Sequence, residues 1–179
     1  MKAQELVYTF GPKLVHPLTF TGKSATNAVQ LSAVGSPDAV TLKYSKNQNA
    51  WTSYTIGDII ELGPEDTVAF SGANNHFSKY DNYYRFYMTG TIEANGNIQS
   101  LMNFSDSCTN YCYCSLFSGC TSLTTPPQFP ATVLKPACYR QIFSYCNHLS
   151  SVPVLPATTL AVACYMDMFE HCTSLSSAP

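Results

Sequence analysis

A fixed period of 26 residues governs the second part of this chain. Cysteine stands at Cys112, Cys138 and Cys164, and again eight residues further on at Cys120, Cys146 and Cys172. The same register carries Tyr113, Tyr139 and Tyr165; Phe117, Phe143 and Phe169; Leu123, Leu149 and Leu175; and Pro127, Pro153 and Pro179. Pro130-Ala131-Thr132 returns as Pro156-Ala157-Thr158, and Leu134 as Leu160. A period of this length marks stacked supersecondary units. Such units touch mainly their neighbours, so each must bury its apolar face against another copy of itself.

Within a unit, Cys138, Ile142 and Cys146 fall on one helical stripe with Phe143 beside it, which predicts a short helix in each repeat. The corresponding stripes are Cys112/Leu116/Cys120 and Cys164/Met168/Cys172. Leu149, Val152 and Val154 then read as a short extended segment. Pro153 inside it withholds a donor from any ladder, which predicts a thin β-face. Eight cysteines invite a disulfide framework, but the spacing speaks against it for six. Positions i and i+8 of a helix are roughly 12 Å apart, and a disulfide needs Cα atoms within about 7 Å. These six are expected to be reduced, buried packing residues. Cys108 and Cys114 lie outside the register, and the sequence leaves open whether they pair.

Residues 14–104 obey a different rule. Runs such as Leu18-Thr19-Phe20-Thr21, Ala39 to Tyr44, Thr67 to Phe70 and Tyr84 to Met88 are rich in β-branched and aromatic residues, and turn signals separate them. This pattern predicts an antiparallel β-sandwich of immunoglobulin-like size. The segment Ser45 to Trp51 reads as a hairpin tip, similar to a degraded Asp-box with Asn at its key positions. Glu61, Glu65 and Asp66 around Gly63-Pro64 could hold calcium, but a solvated turn is the simpler reading.

Charged residues make up only 11% of the chain, the formal net charge is −2, and there is no basic run. Phosphate-driven nucleic-acid binding is therefore not expected. No apolar run reaches membrane-spanning length, and Met1 to Tyr8 lacks a signal-peptide core. No metal or cofactor motif and no nucleophile constellation is visible. No catalytic, metal or cofactor-binding residue is assigned, and no enzyme activity is expected.

Phe143-x-x-Cys146-x-x-Leu149, Phe169-x-x-Cys172-x-x-Leu175 and Phe117-x-x-Cys120-x-x-Leu123 resemble the BspA-like leucine-rich repeats of bacterial surface proteins. An N-terminal β-domain ahead of such repeats is also similar to adhesins and to phage tail or fibre proteins. The resemblance implies an α+β chain in three parts: an N-terminal arm (1–13), an antiparallel β-sandwich (14–104), and a short leucine-rich-repeat solenoid (105–179). The solenoid would hold about two and a half to three repeats and an open C-terminal end, covered by another chain or continued in a longer array. The implied function is non-enzymatic recognition or attachment on a bacterial cell surface or a phage virion. The partner would be a host surface protein or glycan, with homo-oligomers or packing against other chains of an assembly, and without nucleic acid or membrane insertion. The alternative is an accessory carbohydrate-binding module of a larger secreted enzyme.

Two groups of residues are candidates for ligand contact. In the Tyr-rich run from Tyr80 to Tyr87, strand alternation puts Tyr83, Arg85 and Tyr87 on the face opposite Tyr84, Phe86 and Met88. Exposed Tyr and Arg suit protein or sugar contacts. In the repeats, Tyr145, His148 and His171 stand in columns that vary while the core columns hold, which marks a solvent-facing side. His148 and His171 lie near Cys146 and Cys172, yet neither histidine recurs in register, so they read as exposed polar groups rather than metal ligands.

Overall fold

The structure, a computed structural model, describes residues 8–10 and 13–177. Most of the expected N-terminal arm lies outside these residues, as does Pro179. Tyr8–Phe10 (β1) and Lys13–Val15 (β2) pair as a two-stranded antiparallel ribbon.

From Leu18 to Asn95 the alternation of the sequence becomes strands. Leu18–Gly22 (β3) buries Leu18 and Phe20, and Asn27–Val34 (β4) buries Val29 and Leu31. Leu42–Lys46 (β5), Thr52–Tyr54 (β6) and Ile59–Leu62 (β7) are shorter. Thr67–Gly72 (β8) buries Val68 and Phe70, Tyr83–Thr89 (β9) buries Tyr84 and Phe86, and Ile92–Asn95 (β10) closes the series. The last strand, Leu123–Thr125 (β11), belongs to the first repeat. One sheet has the order β11-β10-β3-β8-β5-β6, the other β7-β4-β9. Their inward rings meet edge to face, Phe86 lying 4.9 Å from Phe20 and 5.5 Å from Phe70. A 3₁₀ turn, Ile98–Leu101, follows. The Ser100 hydroxyl ties it to both neighbouring strands, accepting from the Leu18 amide and donating to the Phe70 carbonyl. Gly96 makes the approach possible, because a Cβ there would sit 1.9 Å from the Pro17 carbonyl oxygen.

This arrangement corrects the expected antiparallel sandwich of immunoglobulin-like size. β10 pairs antiparallel with β3 but parallel with β11, so the large sheet is mixed and one edge strand comes from the repeats. The core likewise runs on without a break. The Phe86 ring stacks on Phe117 at 5.5 Å with 10° between the planes.

The repeats hold the larger correction. Among the described residues there is no α-helix. Residues 110–119, 136–145 and 162–171 are instead continuous runs of β-turns, here termed rungs 1, 2 and 3. Along each rung every second amide closes a turn onto the carbonyl three residues back. Examples are Cys138 onto Lys135, Arg140 onto Ala137, Ile142 onto Tyr139, Ser144 onto Gln141 and Cys146 onto Phe143. The intervening amides point out of the rung and donate to the next one. Tyr111, Tyr113, Ser115, Phe117 and Gly119 donate to the carbonyls of Pro136, Cys138, Arg140, Ile142 and Ser144. Ala137, Tyr139, Gln141, Phe143 and Tyr145 repeat the pattern onto Val162, Cys164, Met166, Met168 and Glu170. All ten bonds span 2.8–3.1 Å.

Every fourth residue of a rung has positive φ: Tyr111, Ser115 and Gly119; Ala137, Gln141 and Tyr145; Ala163, Asp167 and His171. This is the backbone that the third position of a type II turn demands. The burial pattern therefore has a period of four. In rung 3, Cys164 and Met168 point in, Met166, Asp167, Glu170 and His171 point out, and Cys172 points in again. A helix turns about 100° per residue, so residues i, i+4 and i+8 drift only ~40° and ~80° and still share one stripe. Nine residues are too few to separate the two periods, and the helical reading fails for that reason.

The leucine-rich-repeat solenoid and the BspA-like resemblance fall with it. Of the three extended segments only Leu123–Thr125 is a strand; the equivalent stretches at 149–151 and 175–177 are not. No parallel strand ladder runs through the repeats, and the strand–helix unit of that family is absent from the described residues.

What the rungs share is stacked side chains. Tyr113, Tyr139 and Tyr165 lie 5.8 and 5.9 Å apart with rings within 5° of parallel. Phe117, Phe143 and Phe169 lie 5.4 and 5.8 Å apart, within 9°. The thiols of Cys120, Cys146 and Cys172 each donate to the carbonyl of the phenylalanine one level back, Phe86, Phe117 and Phe143, all at 3.0 Å. Phe86 on β9 thus occupies the place of a preceding level.

Candidate recognition site

The thiols are interior groups. All eight cysteines are free and buried, including Cys108 and Cys114. Burial pushes the Cys120 thiol up to about 12 and moves Cys146 and Cys172 in the same direction. Contact with the Cys112 thiol pushes Cys108 up to about 12 as well. At Cys108, Cys120, Cys146 and Cys172 the raised thiol pKa withholds the reactive thiolate. Among the described residues no cluster of His, Cys, Asp and Glu could hold a metal ion.

The structure places the sequence-derived candidates in two separate spots. On β9, Tyr83 and Arg85 are half-buried and Tyr87 is exposed, opposite the buried Tyr84 and Phe86. Arg85 is committed locally. Its guanidinium donates to the Tyr87 hydroxyl and lies 4.6 Å from the centre of the Tyr87 ring. On the rungs, Tyr145 and His171 stack at 4.6 Å, one level apart, and both are exposed. His148 is held by the frame, its Nδ1 bonded to the Thr121 carbonyl at 2.6 Å. Ser122 and Ser174 stand in the same column and reach the carbonyls of Met88 and Asn147. His148 is thus one of a series of ties between levels, which the sequence alone does not show.

A third cluster brings together residues far apart in sequence. Between β8 and β9 the chain is pinned by Phe77, buried against Tyr84 at 5.1 Å and Tyr113 at 6.2 Å. The Lys79 amide closes a turn onto the Asn82 carbonyl. Tyr80 is thereby held at the tip, 51% exposed. Its ring meets Tyr111 of rung 1 edge to face at 5.5 Å, and the Arg140 guanidinium of rung 2 lies 5.1 Å from its centre. Such a contact is worth about 0.5–1 kcal/mol at an exposed site. Contact with Tyr80 raises the already high pKa of Arg140, so the guanidinium stays charged.

Beside this cluster lies an open cleft of about 650 Å³, with Tyr80 and Tyr111 at one wall and Lys79, Thr109, Asn110 and Lys135 around it. At the rim, Asp38 pairs with Lys79 at 2.7 Å and with His76 at 2.7 Å. The Lys79 ammonium, then His76, hold its carboxyl below the usual carboxylate range. Two buried polar atoms here have no partner among the described residues: Thr109 Oγ1 and Arg140 Nε. Aromatic, amide, hydroxyl and cationic groups thus meet around one open hollow, the mix of groups found in ligand clefts. Of the residues that meet in this cluster, only Tyr80 belongs to a run that the sequence marks. Arg140 and Tyr111 stand beside the conserved-register columns, and nothing in the pattern signals that they meet. No family model, no curated protein and no solved structure matches this chain.

Proposed function

We propose that this chain is a non-enzymatic recognition and attachment protein, displayed on a bacterial cell surface or a phage virion, and that the cleft lined by Tyr80 and Tyr111, beside Arg140, receives a host surface glycan. The supporting observation is the cleft itself. A fixed loop tip and rung 1 place two tyrosines at an open hollow, with Lys79 and Lys135 beside them, and the Arg140 guanidinium of rung 2 lies over the Tyr80 ring. Tyr and Arg dominate binding energy wherever surfaces recognise one another, and a tyrosine face suits the apolar face of a sugar ring. The cations favour an acidic sugar, to whose carboxylate a guanidinium donates two parallel hydrogen bonds.

A glycan array probed with the purified protein tests this reading. Saturable binding to acidic glycans is expected, weakened about tenfold or more by Tyr80→Ala or Arg140→Ala, the scale of one lost anchor. Unchanged thermal unfolding shows that the variants fold. No binding to any glycan, or binding that both variants keep, refutes the assignment.

A further inference from the structure

The two junctions between rungs are alike, and each is polar in direction. In the backbone-to-backbone bonds between rungs, the rung nearer the N-terminus supplies only donors and the next rung only acceptors. Rung 3 repeats the donor side. Its even-numbered amides close turns, Cys164 onto Ala161 through Cys172 onto Phe169. The amides of Ala163, Tyr165, Asp167, Phe169 and His171, which correspond to the donors of rungs 1 and 2, have no acceptor among the described residues. The apolar columns are open on the same side. Tyr139, Phe143 and Leu149 are at most 1% exposed, whereas Tyr165, Phe169 and Leu175 are only half-buried. Val162 and Met166 are 80% and 48% exposed.

We propose that this face of rung 3 is a docking surface for one kind of partner: a polypeptide segment in the rung conformation, carrying a tyrosine and a phenylalanine four residues apart. Both internal junctions show what such a face accepts, and the docked segment would continue them. The hydrogen-bond pattern does most of the selecting. An ordinary strand edge alternates donors with acceptors, so against an edge of donors alone half of its groups meet their like. A rung's other edge offers acceptors alone, at the matching spacing. A second copy of the folded chain does not fit. A two-fold pairing of rung 3 with rung 3 sets donors against donors. The acceptor side of rung 1 is already taken, Phe86 stacking on Phe117 and Phe77 packing on Tyr113.

Adding one rung tests the inference. A copy of residues 154–177 joined after Pro179 falls in the 26-residue register. Amide hydrogen exchange is then compared between the chain as it stands and the extended chain, each verified as a monomer. In the unextended chain, the five outward amides of rung 3 should exchange far faster than its turn amides at Cys164, Met166, Met168, Glu170 and Cys172. In the extended chain the same five should slow by about tenfold or more, and a second extension carrying Tyr165→Ser and Phe169→Ser within the copy should leave them fast. If the five are already slow in the unextended monomer, or stay fast under the intact added rung, the proposal is wrong.

Discussion

The aromatic columns make a graded prediction along the phenylalanine stack. Phe143 is fully buried, lies between Phe117 and Phe169, and meets Phe129 edge to face at 5.6 Å. Removing a buried phenylalanine ring costs about 3–5 kcal/mol, and each lost ring pair belongs to a class worth about 0.5–1.5 kcal/mol. Phe143→Ala should therefore cost about 4 kcal/mol, a large share of the 5–15 kcal/mol typical of a domain. Phe169 keeps one stacked neighbour and is half-buried, so Phe169→Ala should cost about 1–2 kcal/mol. Urea unfolding of both variants and of the double variant, under reducing conditions, gives a double-mutant cycle. Its coupling should be about 0.5–1.5 kcal/mol. Phe143→Leu provides a milder check should Phe143→Ala not stay folded, with a cost between those of the two alanine variants. Equal costs at the two positions, or no coupling, would refute the idea that the stack is a continuous column whose middle member is held from both sides.

The rung backbone and the thiols make two more. Gly119 sits at φ +74°, and an added Cβ meets nothing within 4 Å. Gly119→Ala should then lower stability by about 1 kcal/mol from backbone conformation alone, with Gly119→Asn costing less; a neutral Gly119→Ala in the same unfolding assay contradicts the assigned φ. The folded state raises Cys120 from 9.0 to about 12 through burial. The contribution is complete below the unfolded value, near pH 9, and is lost as pH rises towards 12. The urea midpoint should hold steady from about pH 6 to 8 and fall progressively above about pH 9; a midpoint unchanged in alkaline buffer means the thiols are not buried as described.

Strands were legible in this sequence because their signal is local. Leu18 and Phe20, Val68 and Phe70, or Tyr84 and Phe86 alternate within a few residues, and the sheet keeps that alternation. The columns of the repeats were equally legible, since identity at a 26-residue step needs no geometric assumption. The conformation inside a repeat was not, because Cys138, Ile142 and Cys146 satisfy a helix and a period-four turn ribbon alike. Positive φ carries almost no sequence mark here. Of the nine rung positions that adopt it, only Gly119 is glycine, and the rest include Tyr111, Gln141 and Ala163. The parallel pairing of β10 with β11 joins Ile92 to Leu123, a contact no local pattern encodes. The cluster beside the cleft was hidden for the same reason. Tyr80, Tyr111 and Arg140 are about 30 residues apart at each step, and only the stacking of rungs beside the loop brings them together.

The one-way bonding of the rungs also has an electrostatic meaning. Each bond that leaves a rung belongs to a peptide unit whose carbonyl faces the preceding level and whose amide faces the following one. Five such units per rung point the same way, so their dipoles add along the stack as they do along a helix axis. The positive pole lies at rung 3. Where rung 1 has Ser115 and Ser118, and rung 2 has Gln141 and Ser144, rung 3 has Asp167 and Glu170. The two carboxylates stand only at the level where aligned amides leave positive potential, an arrangement worth about 0.3–1 kcal/mol per charge at a helix end. The stack is thus electrically oriented, and the acidic side chains of its last level balance the pole that its backbone creates.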